Sequence, residues 1–324
     1  MRWWQSQARR AAWGTSGPVG DQTPTAPPFT RVKVGMSCEG ITRLSTRIIL
    51  IVNCQYNPKG RRDQTPGTPR PSNPPTTMPQ PLLVGISGPS SSGKTTLSRL
   101  LRDIFPPSKL FILHLDDFYL TDAEIPVKNS VQDWDCIESL NLPALKQALQ
   151  HIKEHGNSPD WLVSQEDQNS VGDHGVPEDE IRRLRDEVEV WLRSKTEWQE
   201  RRICVVDGFL LFSQDMKDIR EIFDVRLFLR TSYETAKRRR EARSGYVTLE
   251  GFWQDPPGYV DDIVWPNYVK DHKFLFKNGD VDGELDKKVC ESVGIYGMPR
   301  EAEGDMTRCL HWAAGLLEDV IKRT

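Results

Sequence analysis

The chain has 324 residues, room for one large domain or two small ones, and its charge is uneven: residues 1–80 hold 11 Lys+Arg against 3 Asp+Glu, the remainder 32 against 43. An acidic body argues against broad nucleic-acid binding, which needs cationic side chains over phosphates. Cys38, Cys54, Cys136, Cys204, Cys290 and Cys309 form no C-x-x-C pair, so they read as isolated thiols of a reducing compartment such as the cytoplasm rather than a disulfide framework or metal ligands.

In residues 1–80, Pro, Gly, Thr and Arg dominate, above all from Asn57 to Pro81, and no sustained periodicity appears. This is the composition of disorder or a linker. Its longest apolar run, Ile48 to Val52, is too short to span a bilayer. Three readings stand: a targeting peptide for mitochondria (Arg2, Arg9 and Arg10 precede any acid), a disordered tail, or an extension upstream of a native start at Met78. The absence of a long Arg/aliphatic amphipathic helix favours the last two. The globular part is expected over residues 81–324.

An apolar strand at 82–87 runs into Gly88-Pro-Ser-Ser-Ser-Gly93-Lys94-Thr95. Glycines let the backbone curl around a phosphate, Lys94 reaches the β- and γ-phosphates, and the Thr95 hydroxyl suits Mg²⁺. The helix expected near 94–104 points its positive end at the same anion. Gly88, Ser90, Ser91, Ser92, Gly93, Lys94, Thr95 and Thr96 are therefore candidate nucleotide contacts.

A second strand, 110–115, ends at Asp116 and Asp117, followed by Phe118 and Tyr119. A carboxylate there suits proton acceptance or metal binding, so Asp116 joins Lys94 as a catalytic candidate. Asp133-Trp134-Asp135 offers a flat ring for a base and a carboxylate for a ribose diol; a helix start with a core Trp is the plainer alternative. A helix is expected at 142–155. Residues 156–202 interrupt the alternation with a polar loop and then Ile181, Leu184, Val188, Trp191 and Leu192 at helical spacing. They read as an amphipathic helix on the surface of the sheet domain, a partner-binding helix being the minority reading.

A third strand, 203–206, ends at Asp207, a second candidate metal acid acting through water. A fourth, 225–229, leads into a charged helix from Tyr233 to Arg243. Its run Lys237 to Arg240 is a solvated face, a nuclear-import signal, or a mobile lid whose arginines close over a triphosphate. A short fifth strand is expected at 273–276, before a C-terminal helix with Met306, Leu310, Ala313, Leu317 and Val320 on one stripe. Alternating strands and helices predict an α/β fold: a parallel sheet of about five strands flanked by helices, with ligands beyond the carboxyl ends of the strands.

Taken together, the phosphate loop, Asp116-Asp-Phe118, Trp134 to Asn141, Asp207 to Phe212, Lys237 to Arg240, and Pro257-Gly-Tyr259 with Val264 to Tyr268 resemble the uridine kinase/phosphoribulokinase branch of P-loop small-molecule kinases, and within it the nicotinamide riboside kinases. The resemblance covers about residues 80–280. It implies ATP and Mg²⁺ as cofactors, with Thr95, Asp116 and Asp207 at the metal and Asp116 as base. Arg239 and Arg243 would cover ATP. Asp135 and Arg240 would hold the ribose, Trp134 and Tyr246 would sandwich the ring with Asp255 nearby, and Phe118 and Tyr119 would complete the substrate side. The implied reaction is 5′-phosphorylation of nicotinamide riboside, with nicotinic acid riboside as a second candidate, in NAD biosynthesis. The partner is a small nucleoside, not a nucleic acid or a membrane. A uridine/cytidine kinase is the nearest alternative. A GTP switch lacks its Asn-Lys-x-Asp element, and a silent nucleotide-binding scaffold is disfavoured by the intact Lys94, Thr95 and Asp116.

This chain departs from the family pattern at Trp134, where Tyr is more usual, and at Asp207, where Glu is common. The loop from Arg243 to Asp255 is longer, and residues 1–80 and 156–202 have no counterpart in the minimal kinase.

Overall fold

In the computed structural model, which describes residues 79–323 apart from 167, 168, 170, 171 and 249, strand β1 (Leu82–Ser87) turns Leu82, Val84 and Ile86 into one apolar cluster and Leu83 into another. The readings offered for the N-terminal stretch lie outside the described residues. The same alternation continues in the neighbouring strands. Ile203 and Val205 join the first cluster, Cys204 and Val206 the second. A period of two in a strand buried on both faces divides the core into two layers.

Helix α1 (Lys94–Ile104) follows the phosphate loop, and β2 (Leu110–His114) leads through a tight 3-10 turn, Leu115–Phe118, to a small hairpin, β3 (Val127–Lys128) with β4 (Val131–Gln132). Helix α2 (Leu142–His155) starts where the Asn141 side chain accepts from Ala144 N and stops at Gly156, whose positive φ ends the helix. Then come α3 (Glu178–Arg193), β5 (Ile203–Asp207), α4 (Lys217–Arg220), β6 (Val225–Phe228) and α5 (Tyr233–Glu241). A second hairpin, β7 (Tyr246–Val247) with β8 (Phe252–Trp253), precedes α6 (Trp265–His272), α7 (Lys287–Ser292), β9 (Tyr296–Gly297) and α8 (Met306–Arg323). The five-stranded sheet runs in the order β2-β5-β1-β6-β9, all parallel. Among the described residues no helix is long and apolar enough to cross a membrane.

One expectation needs correction. Residues 273–276 do not form the fifth strand. Lys273–Leu275 is a 3-10 turn, and Phe276 makes only an isolated bridge to Leu285. Leu275 and Phe276 are buried in the second cluster, so their apolar side chains fill the core without extending the sheet. The fifth strand is β9, whose two residues are too few to show a period. The amphipathic helix expected on the sheet domain is α3, with Arg182, Arg185 and Asp186 exposed on its outer face. Ile181, Leu184, Val188, Trp191 and Leu192 join the same cluster as the sheet face, packed between α1 and α8. Glu178, Asp179 and Glu180 occupy its first turn, where negative charge complements the helix dipole.

Leu184 is 2% exposed. Leu184→Ala should therefore cost about 2–5 kcal/mol in urea unfolding. A loss well under about 1 kcal/mol would place α3 outside the cooperative core.

Candidate active site

The parallel register gathers the chemistry at one edge. Ile86 of β1 lies beside Asp207 of β5, and His114 of β2 lies on its other side. The three strand ends thus deliver the phosphate loop, the 115–118 turn and Asp207 together, as expected for a sheet of this kind.

In the phosphate loop, Gly88 has φ +146°, and a Cβ there would sit 2.4 Å from the Leu229 carbonyl oxygen. Only glycine lets the loop press against the end of β6. Ser91 (φ 60°) and Gly93 (φ 98°) are left-handed, a conformation that converges successive N–H groups on an anion. Lys94 opens α1 and donates to the Pro89 carbonyl at 2.8 Å. Enclosure lowers its ammonium to about 8 despite the opposing pull of Asp116 and Asp207.

Asp116 lines the same cavity. Loss of solvent raises its carboxyl to about 7, and the charges of Glu166 and Asp207 push the same way. Asp117 faces elsewhere: its Oδ1 accepts from the backbone N–H groups of Gln165 (2.7 Å) and Glu166 (3.0 Å). Asp207 is 3% exposed, with Oδ1 2.6 Å from His114 Nδ1. Burial raises its carboxyl, but His114 outweighs this and holds it below the usual range. Burial likewise lowers an imidazole, yet Asp207 lifts His114 to about 9.

The residues present suit a metal-bound triphosphate. Asp116, Asp207 and Glu166 act on one another beside Lys94 and His114, and the buried Ser91 Oγ and Ser92 Oγ make no hydrogen bond. The carboxylates could accept a cation, and the hydroxyls offer donors to phosphate oxygens.

The opposite wall is built around Arg240, 7% exposed. Its guanidinium makes a bidentate pair with Asp135 (2.8 and 2.9 Å), bonds Asp255 at 2.6 Å and reaches Ser90 Oγ at 2.9 Å. Asp133 accepts from Asn267 Nδ2 at 2.9 Å, and the Tyr259 hydroxyl accepts from Trp134 N–H at 2.9 Å. The motifs at 257–259 and 264–268 thus buttress the 133–135 loop. Tyr119, Trp134, Phe209, Tyr246 and Trp253 add rings to the cavity.

Most of the residues expected from sequence meet here. Ser90, Ser91, Gly93, Lys94, Thr95, Thr96, Tyr119, Trp134, Asp135, Arg240, Arg243 and Tyr246 line this cavity. Ser92 and Arg239 line the adjoining one, where Arg239 donates to the Ser91 carbonyl at 3.3 Å. Phe118 does not: it is 3% exposed and packed into the second core cluster. Asp255 stands apart from the lining and fixes Arg240 and the Trp253 indole N–H (2.9 Å).

The ring beside Trp134 is Trp253, centroids 5.6 Å apart and tilted by 44°. Tyr246 instead lies against the guanidiniums of Arg240 (5.2 Å) and Arg243 (5.3 Å). Tyr246 and Trp253 are directly opposed in the β7–β8 hairpin and so share a face. Trp253, Phe209, Glu166 and Asn169 were not anticipated. Two-residue strands carry no periodic signal, and Glu166 sits in a polar loop with no motif. The Trp253-x-Asp255 spacing beside Pro257-Gly-Tyr259 was the available clue to the first of them.

No family model matches the chain. It is similar to the nicotinamide riboside kinase of Schizosaccharomyces pombe, with 47% identity over 209 residues, 64% of this chain and 86% of the relative. The nicotinamide riboside kinase of Saccharomyces cerevisiae is 37% identical over 214 residues, 65% of this chain and 86% of the relative. Human nicotinamide riboside kinase 2 is 31% identical over 199 residues, 61% of this chain and 70% of the relative.

The His114–Asp207 pair carries a pH signature. Between about 6.5 and 9 the folded imidazole binds more protons than the unfolded one. Its contribution to stability is complete below 6.5 and lost as pH rises through about 9. His114→Gln should cost about 3 kcal/mol near pH 6, because it strands a buried charge, and should flatten the alkaline decline. An unchanged decline in the variant would refute this assignment.

Proposed function

The chain belongs to the nicotinamide riboside kinase family, so we propose that it transfers the γ-phosphoryl group of ATP to the 5′-hydroxyl of nicotinamide riboside, yielding the mononucleotide in NAD biosynthesis. One observation carries the reading at this site: the phosphate loop, Asp116 and an aromatic wall line a single cavity.

Lys94 and the loop N–H groups bind the triphosphate oxygens. Thr95, Asp116 and Asp207 are the residues that would hold Mg²⁺. Bound there, the ion would offset negative charge on the phosphate oxygens. Asp116 would accept the 5′-hydroxyl proton, as a carboxylate lining the cavity beside the phosphate loop. Asp135 and Arg240 orient the ribose, and their mutual pairing fixes both before substrate arrives. Arg239 and Arg243 supply positive charge over the nucleotide. The substrate ring is cationic, so the Trp134–Trp253 wall favours it over neutral uracil by roughly 1–2 kcal/mol. We assign the second ring contact to Trp253 rather than Tyr246, because guanidiniums lie against Tyr246. The four described cysteines are free thiols, in keeping with a reducing compartment such as the cytoplasm.

The test is turnover with Mg·ATP of nicotinamide riboside, nicotinic acid riboside, uridine and cytidine. Asp116→Asn should lower kcat for the nicotinamide substrate by about 10²–10⁴. Trp253→Leu should reduce kcat/KM for the cationic riboside about tenfold while barely changing any residual uridine turnover. Turnover of the pyrimidine nucleosides alone would overturn the substrate assignment and leave the reaction class standing.

A further inference from the structure

The cavity that adjoins the site has a wall the sheet does not supply. Ser91, Ser92, Thr96 and Arg239 line it from the phosphate loop, α1 and α5, and His174 lines it from the segment between α2 and β5. Trp134, Asp135 and Trp253 line the first cavity and not this one, while His174 lines this one and not the first. The two cavities share Ser91, Gly93 and Thr95 and diverge beyond them, one toward the aromatic wall and one toward His174. His174 is fixed from both directions along the chain. Upstream, Asp117 accepts from Gln165 and Glu166 N–H, and Arg99 donates to the Glu166 carbonyl at 3.0 Å. Downstream, Val176 is 5% exposed and belongs to the first core cluster. Between them, Asp173 Oδ1 accepts from Gly175 N–H at 2.9 Å, and His174 Nδ1 accepts from Val176 N–H at 3.0 Å. Gly175, at φ 67°, completes the turn. Because Nδ1 accepts, the neutral imidazole carries its proton on Nε2 and keeps one N–H to donate.

We infer that His174 binds the nucleoside end of the phosphate donor, its Nε2–H donating to a sugar or base acceptor atom. The inference rests on the kinase reading above. The Ser91 and Ser92 hydroxyls, 8% and 7% exposed and without a hydrogen bond, line this cavity and suit phosphate oxygens at its inner end. On the far side of the loop, Trp134 and Asp135 serve the acceptor nucleoside, so the donor's own nucleoside is left the adjoining cavity. Lys94 and Asp116 do not line that cavity, which places His174 away from the transferring phosphoryl group. The segment 156–202 has no counterpart in the minimal kinase, so this donor contact is one that the inserted segment adds.

The experiment is calorimetric titration of the full chain in Mg²⁺ with β,γ-methylene-ATP and, separately, with inorganic tripolyphosphate. His174→Asn is the variant, because the Asn carboxamide oxygen can still accept from the N–H two residues on while the side chain loses the reach of Nε2. It should weaken analogue binding about 3- to 10-fold and leave tripolyphosphate affinity unchanged, which also shows that the phosphate loop is intact. In steady-state assays KM for ATP should rise by the same factor while KM for the riboside holds. Equal analogue affinity in wild type and variant would overturn the inference alone. So would an equal loss for both ligands, which would move the contact to the phosphates, or a rise in the riboside KM in place of the ATP KM. A wild-type chain that binds neither the analogue nor tripolyphosphate would overturn the kinase reading as well.

Discussion

Arg240 is the constraint on which the rest of the site depends. It is buried on α5, and its five N–H donors are divided among Asp135, Asp255 and Ser90. Through those contacts it ties together α5, the loop carrying Trp134, the chain leaving the β7–β8 hairpin, and the phosphate loop. A lysine would not serve, because a single ammonium lacks the planar fork that meets a carboxylate with two parallel bonds. The two carboxylates, in turn, make the burial of a guanidinium tolerable. Tyr246 and Tyr259 stack over the same group at 5.2 and 5.4 Å, so charge neutralisation and ring placement come from one side chain.

The acidic half of the site follows a different logic. Asp207 is held ionised by His114, while Asp116, without such a partner, drifts up toward neutrality under burial and the charges of Glu166 and Asp207. Two aspartates at neighbouring strand ends thereby acquire different chemistry. In this structure one is a fixed negative charge and the other lies closer to neutrality. The separation depends on His114 facing Asp207 across β2 and β5, a matter of sheet register.

Much of this was legible in the residues. The phosphate loop announced itself, because a strand, a glycine-framed turn and Lys94-Thr95 have few other uses. The bounds of α2 were readable from Asn141 and Gly156, and those of β5 from an apolar run closed by Asp207. Phe118 shows where motif reading overreaches: adjacency to Asp116 says nothing about direction, and the 3-10 turn sends its ring into the core. The strand expected at 273–276 failed for a related reason, since an apolar run of that length serves equally well as a core plug.

By itself the sequence determined the alternation of elements and the motif of the phosphate loop, and it offered Asp116 and Asp135 as candidate carboxylates. Each of those depends on local pattern or on residue type, which a chain displays in order. The tertiary structure decided what lies next to what: His114 against Asp207, Trp253 beside Trp134, and Glu166 brought more than forty positions along the chain to the side of Asp116. Those pairings arise from parallel register, from an antiparallel two-residue hairpin and from the docking of α3 into the core. None leaves a periodic trace, because each is settled by packing between segments distant in sequence.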